Sequence, residues 1–192
     1  MTSFYSEEEL DNIGFSNIGK NVKVSRKASF YNPQVISIGD NVRIDDFCVL
    51  SAGEGISLGN YIHIAVYSSV IGKAPIIVED YCNISSRVSI YSSNDDYSGE
   101  FMTNPTIDSE YTNVLNLPVV LKKHVIIGSG AVVLPGVTLE EGACVGALSL
   151  VNKDCGAFKM YAGIPAKYIN DRSRNLLQIE KRMIQDLEGR SS

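Results

Sequence analysis

Few side chains in this sequence could carry acid–base or nucleophilic chemistry, and they are widely spaced. The chain has two histidines, His63 and His124, and four cysteines. An acidic cluster lies in the polar stretch IYSSNDDYSGE, residues 90–100. An imidazole is a common general base at neutral pH, whereas an exposed aspartate, with an ordinary pKa of about 3.9, is a poor base for a hydroxyl unless burial raises that pKa. His63 and the aspartates are therefore weighed against each other below.

Composition limits the classes of protein to which the chain can belong. It has 192 residues, of which 44% are hydrophobic and 20% are charged, and this predicts one globular domain. The net charge of −5 argues against a general nucleic-acid binder. No apolar run is long enough to span a membrane, and the acidic N-terminus lacks the layout of a signal peptide. The cysteines show neither CxxC pairing nor metal-ligand spacing, so we expect a reduced, cytoplasmic protein without a metal.

Internal repetition is the strongest pattern in the sequence. The segments IGKNV, IGDNV, LGNYI and VEDYC begin at residues 18, 38, 58 and 78, and within each unit an apolar residue returns every six positions. A six-residue period fits neither an α-helix nor a hairpin sheet. It is typical of a triangular solenoid, in which three short strands form a coil with large residues inside and small residues at the corners. Cys48, Cys82 and Cys155 fall at such small core positions.

The repeat also organises the chain into segments. We predict an N-terminal helical segment at 1–17, with Ser6 as the cap of a helix, a β-solenoid at 18–170, and an amphipathic C-terminal helix at 171–192. The repeat stops between about residues 92 and 118. A loop this long in a compact fold is usually functional or disordered, and we interpret it as functional.

Two positions on the repeat bear on the histidines. His63 lies at the sixth position of its hexapeptide, which points outward, and Asn83 occupies the same place one coil later. A lone outward histidine is commonly only a surface residue, so a catalytic role and a surface role both stay open for His63. His124 lies in a turn position, where we expect a structural role.

The C-terminal coils resemble a known family. The segment LKKHVIIGSGAVVLPGVTLEEGACVGALSLVNKD, followed by YAGIPAKYI, closely resembles the hexapeptide-repeat acyltransferases, and in particular the galactoside, maltose and xenobiotic O-acetyltransferase branch. The resemblance implies an all-β fold, a left-handed parallel β-helix with one long loop and a C-terminal α-helix. It also implies a homotrimer with active sites between subunits, and acetyl-CoA as the co-substrate.

The same resemblance assigns residues to the acetyl-CoA groove. Small residues and backbone groups line that groove in the family, and lysines pair with the phosphates of the cofactor. The matching cofactor-binding positions here are Ser129, Ala147, Asn152 and Lys153, and Lys167, in the AGIPAK segment, is a further candidate for contact with the phosphates. The alternative is that the lysines only solvate the surface of the solenoid.

On the acceptor side the sequence departs from the family pattern. The sugar O-acetyltransferases carry a histidine just after a segment like VSIYS, whereas here Asp95 falls on that position. We therefore take His63 and Asp95 as the catalytic candidates. The substrate-binding candidates are Asn83, Asn94, Asp96 and Tyr97.

Two mechanisms remain open. In the first, His63 is the base for O-acetylation of a sugar hydroxyl, as in surface-polysaccharide (O-antigen or capsule) synthesis, and the aspartates bind the sugar. In the second, the acceptor is the amine of a nucleotide-linked amino sugar, which needs positioning more than a strong base. The first is the preferred reading, because the rest of the chain resembles the O-acetyltransferase branch. A non-catalytic trimeric β-helix scaffold is the third possibility.

Overall fold

The hexapeptide pattern folds as a parallel β-solenoid of about seven turns, in a computed structural model that describes residues 3–190. The architecture agrees with the expected left-handed β-helix. Two α-helices flank the solenoid, α1 at Glu7–Ile13 and α2 at Asn175–Arg190, and short 3-10 turns lie at Pro33–Val35 and Ser109–Tyr111. The strands in chain order are β1 Asn17–Ile18, β2 Lys23–Val24, β3 Ser29–Tyr31, β4 Ile36–Ile38, β5 Arg43–Ile44, β6 Val49–Ala52, β7 Ile56–Leu58, β8 His63–Ile64, β9 Ser69–Gly72, β10 Ile76–Val78, β11 Asn83–Ile84, β12 Ser89–Tyr91, β13 Ser93–Asn94, β14 Leu115–Asn116, β15 Val119–Leu121, β16 Ile126–Ile127, β17 Val132–Val133, β18 Thr138–Leu139, β19 Cys144–Val145, β20 Leu150–Val151, β21 Lys159–Ala162 and β22 Lys167–Asp171.

Three parallel sheets form the sides of the solenoid. The first face contains β1, β4, β7, β10, β15 and β18, the second contains β2, β5, β8, β11, β16, β19 and β21, and the third contains β3, β6, β9, β12, β17 and β20. The strand β22 closes the second face by pairing antiparallel with β21. Each coil thus hydrogen-bonds to the coils before and after it, about 4.8 Å away on either side.

The core consists of ladders of aliphatic side chains, because every second strand residue points inward. Ile44, Ile64, Ile84 and Ile127 follow one another in register along the second face, and each is at most 1% exposed. The small corner positions behave as expected, since Cys48, Cys82 and Cys155 are buried free thiols. Stacked burial of this kind supplies most of the driving force for the fold.

The corner between the first and second faces carries an aromatic ladder. Tyr61, Tyr81 and His124 adopt left-handed backbone conformations, with φ of 56°, 61° and 61°. Their rings stack with centroids 5.1 Å and 5.0 Å apart. This stacking offsets part of the cost of a left-handed conformation in residues other than glycine.

The two ends of the solenoid are closed differently. Ser6 caps α1 in a capping box with Glu9, as the sequence predicts, and Leu10 of this helix is buried against the first coil. At the other end β22 leads into α2. The predicted terminal segments 1–17 and 171–192 include residues 1, 2, 191 and 192, which lie outside the described residues. No helix between residues 3 and 190 has the length and apolar character needed to cross a bilayer.

The break in the repeat is a single long excursion, residues 92–118, at the corner between the third and first faces. It leaves after β12 and returns before β15, and at its base β13 pairs antiparallel with β14. The coils continue beneath it, because β12 pairs with β17 and β10 pairs with β15. The loop is therefore added to a corner without interrupting the sheets.

Candidate active site

The excursion carries two adjacent aspartates whose carboxylates have different surroundings. Asp96 accepts hydrogen bonds from the Ser98 backbone N–H at 2.6 Å and from Asn113 Nδ2 at 3.1 Å. Hydrogen bonds from Ser98, and then from Asn113, lower the pKa of Asp96. Asp95 is exposed and makes no hydrogen bond or ion pair within residues 3–190. The Asp96 carboxylate shapes the loop, and that of Asp95 is left available.

The other predicted substrate residues of the loop lie on either side of Asp95. Asn94 is half-buried, because it is the second residue of β13 and pairs with Leu115 across the hairpin. Tyr97 is 86% exposed. The loop therefore offers a phenol and a carboxylate to whatever approaches it from outside this chain.

His63 lies on the second face in a row of polar side chains. Its Nε2 is 2.8 Å from Asp45 Oδ2, and its Nδ1 is 3.2 Å from Asn83 Oδ1. Arg43 Nε donates to the other Asp45 oxygen at 2.7 Å. The prediction that Asn83 lies beside His63 is confirmed by the register of β8 and β11. The side chain of His63 is 41% exposed, but both ring nitrogens are already in contact with protein oxygens.

Asp45 is the residue of this row that the sequence analysis missed. Burial raises its pKa, but hydrogen bonds from His63 and Arg43 outweigh burial and lower the pKa overall. Asp45 is thus a carboxylate that holds the imidazole. The register of β5 and β8 places Arg43 directly beside His63. This pairing was the signal in the sequence that pointed to the neighbourhood of Asp45. Asp45 lies two residues further along the chain, and no spacing rule shows that its side chain turns back toward the ring.

The structure does not bring the two catalytic candidates together within one chain. His63 lies on β8 in the second face, whereas Asp95 extends from the corner between the third and first faces. In a triangular solenoid that corner is opposite the second face. The two side chains can meet only if a second copy supplies one of them.

The predicted cofactor residues fall at two corners of the last coils, and all five are exposed. Ser129 and Ala147 lie at the corner between the second and third faces, where the Leu148 N–H donates to the Ser129 carbonyl at 2.9 Å. Lys167 is close to this corner, because it pairs with Ala162 in the final hairpin. Asn152 and Lys153 follow β20 at the opposite end of the third face.

Small residues are required at the first of these corners. A Cβ on Gly128 would lie 2.5 Å from the backbone nitrogen of Ala147, and a Cβ on Gly146 would lie 2.9 Å from the Cβ of Ala162. The coils approach so closely here that the corner is a shallow strip of backbone. Such a strip can accept an extended ligand, which is consistent with the prediction for Ser129 and Ala147.

His124 has the structural role expected of it. Its Nε2 is 2.8 Å from Glu180 Oε2, and its side chain is 9% exposed. Lys123 Nζ lies 3.1 Å from the other oxygen of Glu180. His124 therefore attaches α2 to the solenoid. No group of three or more histidines, cysteines or carboxylates within residues 3–190 is arranged to hold a metal ion.

Comparison with known proteins adds three findings. The chain is 59% identical over 179 residues to a dTDP-4-amino-4,6-dideoxy-D-glucose acyltransferase from Escherichia coli, covering 93% of each chain. It is 24% identical over 156 residues to the galactoside O-acetyltransferase of E. coli K12, covering 80% of this chain and 73% of that protein. No protein-family model matches.

Among solved structures, the chain is similar to AntD, an N-acyltransferase from Bacillus cereus, in its complex with dTDP and 3-hydroxybutyryl-CoA. The identity is 46%, the TM-score is 0.95, and the match covers 98% of this chain and all of the other (100%). A variant of AntD in complex with dTDP-4-amino-4,6-dideoxyglucose and coenzyme A matches with a TM-score of 0.94 over 97% of this chain and 99% of that one, at 46% identity.

Proposed function

We propose that this chain, which belongs to the family of hexapeptide-repeat acyltransferases, transfers an acyl group from coenzyme A to the amine of a nucleotide-linked amino sugar. The observation that carries this proposal is the contrast between Asp95, an exposed carboxylate with no hydrogen-bond or ion-pair partner among residues 3–190, and His63, whose ring nitrogens both contact protein oxygens. Similarity to amino-sugar acyltransferases over nearly the whole chain supports it.

The chemistry of the acceptor explains why this contrast matters. A sugar hydroxyl needs a base to remove its proton during attack, and a histidine with a free nitrogen usually provides it. A neutral amine attacks without such help: its nitrogen bonds to the thioester carbonyl carbon, the C–S bond breaks, and the proton lost from nitrogen ends on the departing thiol. A carboxylate such as Asp95 then serves by orienting the amine and accepting its hydrogen bond. The observations thus favour the amine acceptor over the O-acetylation that the sequence analysis preferred.

For the donor we propose the strip at the last coils. Ser129 and Ala147 would line the pantetheine arm, while Lys153 and Lys167 would contact phosphates as point charges. AntD, which is similar to this chain, binds coenzyme A and 3-hydroxybutyryl-CoA. Acetyl-CoA is the donor expected from the sequence. The exposure of all five predicted residues is compatible with a ligand bound along the outside of the solenoid.

We further propose a homotrimer in which each active site lies between two copies. Asp95 and the second face point away from each other in one chain, so a site containing both requires a neighbour. Charge supports this docking: the excursion carries Asp95 and Glu100, while Arg87 lies at the corner of the second face. The loop of one copy would then cover the Asn83 row of the next.

A matched pair of acceptors tests the proposal. The enzyme would be given acetyl-CoA with either dTDP-4-amino-4,6-dideoxyglucose or the dTDP-6-deoxyglucose that carries a hydroxyl at the same carbon. We expect release of the CoA thiol with the amine at least about 10²-fold faster than with the hydroxyl, because the site lacks a free base. Equal rates, or turnover of the hydroxyl alone, would show that the acceptor is not an amine.

A further inference from the structure

A cleft lies at the base of the excursion, where the returning loop passes the corner after β9. Its walls come from the solenoid on one side and from residues on both arms of the excursion on the other. The lining residues are Lys73, Ser93, Ser109, Thr112, Val114 and Asn116. None of the residues considered above for acceptor or donor binding belongs to this set.

The floor of the cleft is held in place by hydrogen bonds. Ser93 Oγ accepts from the Lys73 backbone N–H at 2.7 Å and donates to Asn116 Oδ1 at 2.7 Å. Ser93 and Asn116 also face each other in the β13–β14 ladder. Beneath them Ser92 is buried, and its Oγ donates to the Ala74 carbonyl at 2.6 Å. The walls are therefore ordered before any ligand binds, which reduces the entropic cost of binding.

The chemistry of the lining suits an anion. It contains one ammonium group, three hydroxyls and an amide, and no carboxylate. Lys73 makes no ion pair within residues 3–190, whereas Lys27, Lys122 and Lys123 are each paired with a carboxylate. Ser93 and Thr112 already donate their hydroxyl hydrogens to Asn116 and to the Ser109 carbonyl, so the groups left to bind an anion are the Lys73 ammonium and the Ser109 hydroxyl. In a chain with a net charge of −5, a lysine without an ion pair in the described residues, in a cleft that contains no carboxylate, suits phosphate oxygens.

The cleft is also close to the proposed acceptor site. Asp95 follows Ser93 by two residues of extended backbone, which span about 6.6 Å. This separation is comparable with that between the anomeric phosphate and the C4 amine of a hexose. An acceptor with its amine at Asp95 would therefore place its phosphates at the mouth of the cleft.

We propose that this cleft, with Lys73 as its charged residue, binds the diphosphate of the nucleotide-linked acceptor. This inference rests on the proposed function and names the part of the molecule that recognises the nucleotide. Coenzyme A also contains a diphosphate, so the same chemistry has two sources. The acceptor is favoured over coenzyme A. Lys153, the lysine proposed for coenzyme A at this same corner, lies three coils beyond Lys73, or about 14 Å at the usual strand spacing.

Calorimetric titration with dTDP, and separately with coenzyme A, tests the assignment. The variants are Lys73→Met, Lys73→Arg and, as a matched control, Lys20→Met, which removes an exposed lysine on the first coil. We expect Lys73→Met to weaken dTDP binding at least about tenfold, the loss of one charged hydrogen bond. Lys73→Arg should keep binding within about threefold. Lys20→Met should leave it unchanged, and none of the three should alter coenzyme A binding.

Two results would overturn the inference. Unchanged dTDP affinity in Lys73→Met would place the diphosphate elsewhere, and a selective loss of coenzyme A affinity would make the cleft part of the donor site. Turnover separates this inference from the proposed function. If wild-type protein acylates the nucleotide-linked amino sugar but Lys73→Met has an unchanged KM for it, only the inference fails. If wild-type protein neither binds dTDP nor acylates the amine, the proposed function fails, and the inference fails with it.

Discussion

Two adjacent aspartates show how surroundings rather than residue type determine the use of a side chain. The Asp96 carboxylate is held by Ser98 and Asn113, which fix the turn of the excursion. Asp95 has no such partner in the part of the chain that the structure describes, and it is exposed. His63 is the opposite case. Asp45 and Asn83 contact both of its ring nitrogens, one of which would have to be free for His63 to act as a base. Residue type alone favoured His63 as the residue that acts on the acceptor, whereas the observed contacts favour Asp95.

Replacing Asp95 with Asn keeps the shape of the side chain and removes its charge. We expect Asp95→Asn to lower kcat/KM for the amino-sugar acceptor by about 10²-fold or more, since the neutral amide orients the amine less well and accepts a weaker hydrogen bond from it. His63→Ala should lower it by less than about tenfold. Steady-state kinetics with both variants provides the measurement. The reverse ranking, with His63→Ala the more damaging, would restore the histidine as the base.

Thiol reactivity provides a second test at the scale of single residues. Burial raises the pKa of Cys82 to about 12 and that of Cys155 to about 11. Because only thiolates react with iodoacetamide, both should stay unmodified in folded protein at pH 8 and react once the chain is unfolded. Peptide mass spectrometry after timed labelling measures this. Rapid labelling of Cys82 in the folded protein would contradict the packing of the coils.

At the scale of elements, α2 is attached to the solenoid mainly by polar contacts near its first turns. Glu180 accepts from His124 and Lys123, and Arg172, just before the helix, donates to the His124 and Gly142 carbonyls at 2.9 Å and 3.0 Å. Further along the helix, Ile179 and Leu187 remain 50% and 41% exposed. The attachment of α2 should therefore depend on the charge of Glu180.

This dependence predicts a pH effect of defined sign. Burial raises the pKa of Glu180, but hydrogen bonds from His124 and Lys123 outweigh it and lower the pKa below its ordinary value of 4.5. A carboxyl with a depressed folded-state pKa contributes stability above its unfolded pKa and loses it as the pH falls through the folded value. The Tm of the wild type should therefore decrease more steeply than that of Glu180→Gln below about pH 4.5.

Thermal unfolding between pH 7 and pH 3 measures this difference. At pH 7 we expect Glu180→Gln to have a Tm lower by about 2–4 °C, corresponding to roughly 1 kcal/mol in a protein of this size. The difference in Tm should narrow as the pH falls through the lowered pKa of Glu180, where the wild-type carboxyl takes up a proton. A gap that stays constant with pH would mean that the charge of Glu180 does not hold the helix.

The elements were largely predictable from sequence, whereas the contacts between them were not. The six-residue period defines the strands, because each inward residue, such as Ile64 or Ile84, stacks on its equivalent in the next coil. The corner position of the excursion follows from where the period breaks. The contact between Asp45 and His63 does not follow, because the direction of a surface side chain depends on neighbours contributed by other coils. The Lys73 cleft could not be predicted either, because its two walls are some forty residues apart in sequence.

At the scale of the whole molecule, the proposed site is shared between copies. A complementation experiment distinguishes this from a site within one chain. We expect Asp95→Asn and Asn83→Ala each to be impaired, and a refolded mixture of the two to regain activity. In a random trimer about a quarter of the interfaces combine an unmodified loop with an unmodified second face.

The measurement is the rate of acyl transfer by the refolded mixture, compared with that of each variant refolded alone. Recovery toward about a quarter of the wild-type rate is the expected result. If the site lay within one chain, every site in the mixture would contain one substitution and no activity would return. Sedimentation equilibrium on the same samples should give three times the chain mass, since the proposed site lies between copies of a trimer.

The choice between an amine and a hydroxyl acceptor is tested most sharply by the position of the acyl group on one acceptor that offers both nucleophiles. The sugar of dTDP-4-amino-4,6-dideoxyglucose carries an amine at C4 and hydroxyls at C2 and C3. After reaction with acetyl-CoA, NMR of the purified product distinguishes an amide at C4 from an ester at either hydroxyl. We predict the amide as the single product. An ester, with the amine left free, would show that the protein is an O-acetyltransferase and that the amine is not its acceptor.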